Sequence, residues 1–330
     1  MVAAGTVRAP AALMTCRVAA VDCGTNSLRL LVADVDLGRA EVTDVARRME
    51  IVRLGQGVDK SGQLAPDALD RTIGVLRDYA DIIAACAARA VRMVATSATR
   101  DASNAAEFTR RVKEVLGIAP EVLTGAEEAV LSFTGATAEL GASHDAGPFL
   151  VADIGGGSTE FVLGLAAAAG ATGAAADNAV HASSVNIGCV RMTERHLHDD
   201  PPSGQQIAAA TADIDAALDE AADAVPVRHA RTLIGLAGSV TTVAAMAMGL
   251  PAYDPARIHH ARVSAADVHE VARNLLAQTR AARAVIGAGS LILDRIMQRF
   301  GFGEVLVSEH DILDGIAWSL AAQTARDARG

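Results

Sequence analysis

Lysine is nearly missing from this chain. Lys60 and Lys113 are its only copies, so almost all of the positive charge is arginine. Net charge is −10, and no stretch gathers basic residues into a stripe, which argues against a nucleic-acid partner. An anionic ligand must then be held locally, by loops, a few arginines and a metal. Aromatics make up 3% of the chain, so its 51% hydrophobic content builds a core of Ala, Val, Leu and Ile. No apolar run is long enough to span a bilayer, and no membrane partner is expected. Cys16, Cys23, Cys86 and Cys189 are scattered, with no Cys-x-x-Cys pair. Neither a zinc site nor a disulfide framework follows, and a reducing, cytoplasmic location is expected. Residues 1–15 read as a frayed leader, with Met14 as an alternative start.

What is present is one passage written twice. "VDCGTNSLRLLVADV" begins at Val21 and "ADIGGGSTEFVLGLA" at Ala152. Both read Asp-x-Gly-x-x-Ser: Asp22, Gly24 and Ser27 match Asp153, Gly155 and Ser158. Each follows an apolar strand-like run and is followed by another. The turn therefore closes a β-hairpin, whereas in a P-loop or Rossmann unit it opens a helix. Gly24, and Gly155 with Gly156 and Gly157, are expected to turn backbone N–H groups inward as an anion nest. Thr25, Ser27, Ser158 and Thr159 add hydroxyls and Asn26 an amide. Asp22 and Asp153, at strand ends, are placed to hold Mg2+ or its water. Two facing copies would grip a phosphate chain from both sides.

The rest alternates strands and helices. Residues 66–90 predict a helix with Leu69, Ile73, Leu76, Ala80 and Ile83 on one face. "VRMVATSATRDASN" predicts a strand and a polar turn. Asn104-x-x-Glu107 reads as a capping box, with Gly117 past the helix end. A further helix is expected near Glu127, and Ser203-x-x-Gln206 caps another. "TLIGLAGSVTTVAAM" reads as strand, Gly-Ser turn and helix, and "IGAGSLILDRIMQRF" as a helix behind a glycine turn. "GLAAAAGATGAAADNA" is low-complexity and reads as a flexible hairpin tip or a loop. The pattern predicts an α/β protein of two similar lobes with a cleft between them. The expected lobes are 16–125 and 126–311, with a last helix near 312–326 able to pack back on the first.

The two loops resemble the phosphate loops of the actin, hexokinase and Hsp70 ATPase superfamily, whose lobes are ribonuclease H-like. With "VATSATRDASN", "LTGAEEAVLSFTGA", "NIGCVRMTE", "GLAGSVTTVAAM" and "VLVSEHDILDGI", they are similar to the exopolyphosphatase / guanosine pentaphosphate phosphatase (Ppx/GppA) family. The resemblance runs from about Val18 to Ala321. It implies a Mg2+-dependent hydrolase that releases terminal orthophosphate from inorganic polyphosphate, or the 5′ γ-phosphate from guanosine pentaphosphate. It also implies a catalytic base at Glu128, metal-linked carboxylates at Asp153 and Glu160, and a phosphate-binding Arg100. A homodimer is a family-level expectation. The first loop reads Cys-Gly-Thr-Asn where many members have Leu-Gly-Ser-Asn, and Thr keeps the hydroxyl. Larger members carry a further helical C-terminal region, so short polyphosphate is the expected substrate here.

Glu127 reads as a structural residue of a helix's first turn. His196-x-His198 and His259-His260 lack a spaced third ligand and read as loop residues, not a metal site. Arg191, Arg195, Arg257 and Arg262 are candidates for a basic rim. Two other functions use the same loops. An ATP-using kinase of the superfamily would need an aspartate base, against Glu128. A polyphosphate or alarmone sensor would need no base at all.

Overall fold

The computed structural model describes residues 15–39, 41–138, 140, 147–165 and 181–328. The expected leader and most of the low-complexity loop lie outside the described residues.

The first sheet contains β1 (Thr15–Cys23), β2 (Ser27–Asp36), β3 (Glu41–Ile51), β4 (Ala90–Ala95) and β5 (Glu121–Val122), in the order β3-β2-β1-β4-β5. The pairs β1–β2 and β2–β3 are antiparallel; β4 runs parallel to β1, and β5 to β4. The second sheet contains β6 (Phe149–Ile154), β7 (Thr159–Gly164), β8 (His181–Val185), β9 (Thr232–Leu236), β10 (Arg262–Ser264) and β11 (Glu304–Val307). Its order is β10-β11-β9-β6-β7-β8. Without β10, the series β8-β7-β6-β9-β11 repeats the first sheet in order and direction. The doubled passage is thus the first hairpin of each of two α/β lobes.

Both faces of β1 are covered, which is why its apolar run is nearly continuous. On one face lie Leu69, Ile73, Leu76 and Ile83 of the helix Pro66–Ala85. On the other, Val18, Ala20 and Leu31 meet Ile312, Ile316 and Leu320 of the helix Ile312–Asp327. The last helix therefore packs on the first sheet. The helix Gly125–Thr137 does the reverse: Ala129, Phe133 and Ala136 pack on Val151 and Val162 of the second sheet. These two helices cross backbone to backbone. A Cβ on Gly135 would sit 1.8 Å from the Asp311 carbonyl, and one on Gly315 2.1 Å from that of Leu131.

Several local expectations change. The polar turn after β4 is a short helix, Ser97–Asp101. Asn104 is not a side-chain cap; its amide pairs with both backbone groups of Leu64, so a long-range partner wins over the local one. The capping box is instead Thr124 with Glu127, which confirms a structural role for Glu127. No glycine turn separates β9 from its helix: Ala237–Ala247 starts at once, with Ala237 at φ 67°. Gly287 and Gly289 likewise lie inside the helix Ile286–Phe300.

Candidate active site

The two loops have the same local geometry. Gly24 N–H donates to the Ser27 carbonyl at 3.0 Å, and Gly155 N–H to the Ser158 carbonyl at 3.0 Å. The glycines are not there for left-handed backbone, since none of Gly24, Gly155, Gly156 and Gly157 has a positive φ. They are there for space. A Cβ on Gly156 would meet Thr25 Cβ at 2.9 Å, and one on Gly157 would meet Ser97 Oγ at 2.1 Å. The loops of the two lobes touch, and only bare backbone allows it.

The helix Cys189–His196 fixes how the second loop points. The N–H groups of Cys189 and Val190 donate to the Gly155 and Gly156 carbonyls, each at 2.9 Å, and Arg191 Nε donates to the Gly157 carbonyl at 2.6 Å. Peptides are planar and trans, so each carbonyl held by this helix turns the next N–H the opposite way. Those N–H groups belong to Gly156, Gly157 and Ser158. All three residues line a cavity of about 1080 Å³ between the lobes, as do Gly24, Thr25, Asn26 and Ser27.

Asp22, Asp153 and Glu128 line the same cavity. Glu128 is 8% exposed, and Arg100 Nη1 donates to its Oε2 at 3.2 Å. Burial pushes the Glu128 carboxyl well above its ordinary range, the nearby Glu160 adds to the rise, and Arg100 opposes it. Glu160 does not line the cavity; it stands across the hairpin from Asp153 and accepts from Ser184 Oγ at 2.7 Å. Burial raises Asp153 to about 6 and Glu160 to about 7. Asp153 Oδ2 accepts from Ser132 Oγ at 2.7 Å. Arg100 differs from expectation: it also donates to the Leu123 carbonyl and does not line the cavity, so it holds the base rather than the cleft.

Sequence reasoning missed the floor of the cleft. Arg29 donates twice to Asp22 Oδ2, at 3.0 and 2.7 Å, and once to Asp311. Arg47 reaches Asp314 Oδ1 at 2.7 Å, and Asp311 and Asp314 form the capping box of the last helix. Alternation along β2 and β3 hints at neither pair, because the partners come from the far end of the chain.

Three of the four arginines expected at a basic rim are held in ion pairs. Arg191 and Arg195 pair with Asp59, Arg191 also with Asp101 and Arg195 with Asp213, while Arg262 pairs with Glu304. His196 is bonded to Asp213 at 2.7 Å. His259 stacks on His260, with ring centroids 3.8 Å apart, and lines the outer cleft near His310.

Among the described residues, no three His, Cys, Asp or Glu side chains could hold a metal alone. The donor set nonetheless suits Mg2+, which takes one or two carboxylates and completes its shell with water and phosphate. Asp22 Oδ1 is buried with no hydrogen-bond partner, and neither Asp153 nor Glu160 has an ion-pair partner among the described residues. A hard cation would satisfy them.

Comparison with known proteins gives the family and the fold. The model of the Ppx/GppA phosphatase family matches residues 31–323. Over 328 residues the chain is 48% identical to exopolyphosphatase 2 of Mycobacterium tuberculosis, covering 92% of this chain and 98% of that one. The crystal structure of an exopolyphosphatase-like protein superposes with a TM-score of 0.85 at 40% identity, over 93% of this chain and 99% of that one. The Aquifex aeolicus Ppx/GppA enzyme gives 0.73 at 28% identity, over 92% and 99%. With its two actin-like lobes and its doubled loop, the chain belongs to the Ppx/GppA phosphatase family.

Proposed function

We propose that this chain is a Mg2+-dependent exopolyphosphatase acting on short inorganic polyphosphate, with guanosine pentaphosphate as a second substrate. The observation that carries the reading is the placement of Glu128. It is a buried carboxylate of raised basicity on the wall of the cavity that both glycine loops also line. Family membership and the exopolyphosphatase relative support it.

In this reading, water attacks the terminal phosphorus and the bridging P–O bond breaks. Orthophosphate leaves, and the shortened chain keeps the electron pair. Such a reaction needs positioning and charge neutralisation more than covalent help. Glu128 accepts the proton of the attacking water, and its raised pKa makes it the stronger base. Arg100 holds that carboxylate in place from behind. The N–H groups of Gly156, Gly157 and Ser158, with the hydroxyls of Thr25 and Ser27, receive phosphate oxygens. Asp153 and Glu160 would hold Mg2+, with Asp22 beside them. When bound, the metal supplies positive charge to the phosphate oxygens. A homodimer in the cytoplasm completes the proposal, and the four cysteines are free thiols, as a reducing compartment keeps them.

The test is orthophosphate release with Mg2+ from short polyphosphate, long polyphosphate, guanosine pentaphosphate and ATP in parallel. Release from short chains, lost on chelation, is expected. Binding without release from any of them would leave only a sensor.

A further inference from the structure

The segment "NIGCVRMTE" carries an arginine that the chemistry above does not use. Arg191 is 11% exposed at its side chain and does not line the cleft. It sits behind the second loop, where its Nε holds the Gly157 carbonyl at 2.6 Å. Its two other nitrogens cross to the first lobe, one to Asp59 and one to Asp101 Oδ2 at 2.5 Å. The neighbouring side chains on the same helix make the same crossing. Glu194 accepts from Gly57 N–H at 3.1 Å, and Arg195 reaches Asp59 at 3.0 Å.

Each end of this bridge leads to the cleft. At one end, fixing the Gly157 carbonyl sets the peptide plane whose other edge is the Ser158 N–H. At the other end, Asp101 closes the helix Ser97–Asp101. That helix carries Ser97, which contacts Thr25 Oγ1 at 3.3 Å, and Arg100, which holds Glu128. A single guanidinium, with planar and rigidly spread donors, ties loop, lobe and base together.

We propose that Arg191 is a positioning residue, an interlobe latch that couples closure of the lobes to the aim of the second loop and of Glu128. The proposal rests on the reading of the cleft as a polyphosphate site. When the lobes part, the Asp59 and Asp101 bonds break and the Gly157–Ser158 peptide loses its anchor. When they close, loop and base come into register together.

Two variants test this, Arg191→Leu and the double variant Asp59→Ala with Asp101→Ala. The double variant keeps the Gly157 contact and cuts only the crossing. Both are compared with wild type in kcat and KM on tripolyphosphate, well below the thermal midpoint. Amide exchange is read at Cys189, Val190 and Gly57, with β6 as an internal reference. We expect kcat to fall about 100-fold in Arg191→Leu, as misplacement without loss of a reacting group does. The double variant should fall at least about 10-fold, and the Cys189, Val190 and Gly57 amides of both should exchange about 10-fold faster, with β6 unchanged. A merely structural role would lower the midpoint and leave kcat at its wild-type value, which overturns the latch. So does a double variant with wild-type kcat and exchange, whatever Arg191→Leu does. If wild type itself releases no orthophosphate, the polyphosphate reading fails, and the exchange data alone decide the latch.

Discussion

Asp153 and Glu160 face each other across the β6–β7 hairpin as a register pair, both buried, and neither has an ion-pair partner among the described residues. Two carboxylates kept this close and this dry need a cation or a proton.

A direct consequence concerns Mg2+ and stability. A ligand that binds only the folded chain at about 100 times its Kd adds about 2.7 kcal/mol. Millimolar Mg2+ should raise the thermal midpoint of wild type by several degrees. Asp153→Asn and Glu160→Gln should lose most of that rise. An equal rise in the variants would place the metal elsewhere.

The helix crossing gives a prediction free of catalysis. Gly315→Ala pushes a methyl group to 2.1 Å from the Leu131 carbonyl, backbone that has no rotamer to yield. It should cost about 3 kcal/mol in denaturant unfolding. Gly74→Ala, in a half-buried helix position where an added methyl group meets nothing within 4 Å, should instead stabilise by about 0.5–1 kcal/mol. Equal effects at the two sites would contradict the crossing.

The latch has a pH signature. Burial alone would raise Asp59, but Arg195 and Arg191 outweigh it and hold the carboxyl below its ordinary range. A depressed folded pKa gives stability that is complete above the unfolded value, about 3.9, and is lost as pH falls through the folded one. Wild type should therefore exceed Asp59→Asn in thermal midpoint at pH 7. The gap should begin to narrow below about pH 4 and go on narrowing as the pH falls further. A gap at about pH 3 as large as the gap at pH 7 would mean that the asparagine disrupts something other than charge.

Much of this was legible along the chain because it is local. Asp-x-Gly-x-x-Ser at both hairpins and the Glu128 helix are short-range patterns, and the structure brings Asp22, Asp153, Glu128 and both loops to one cavity. The purpose of the glycines was legible only in part. Gly156 and Gly157 first make room for Thr25 and Ser97 of the other lobe, a contact no local pattern encodes. The pairs Arg29–Asp311 and Arg47–Asp314 were not legible either, since each joins residues from opposite ends of the chain. Asn104 failed as a cap for the same reason: Leu64 competes for its amide. Arg191 read along the chain as a candidate for a basic rim, whereas in the fold Asp59, Asp101 and the Gly157 carbonyl converge on it.

Glu128 is the residue on which the chemistry turns. Glu128→Gln keeps its shape and its place beside Arg100 while removing the proton acceptor. Orthophosphate release from short polyphosphate with Mg2+ should fall by about 10²–10⁴ in kcat, with polyphosphate binding retained. A Glu128→Gln protein that turns over at the wild-type rate would contradict the assignment of the base, and with it the mechanism drawn from this cleft.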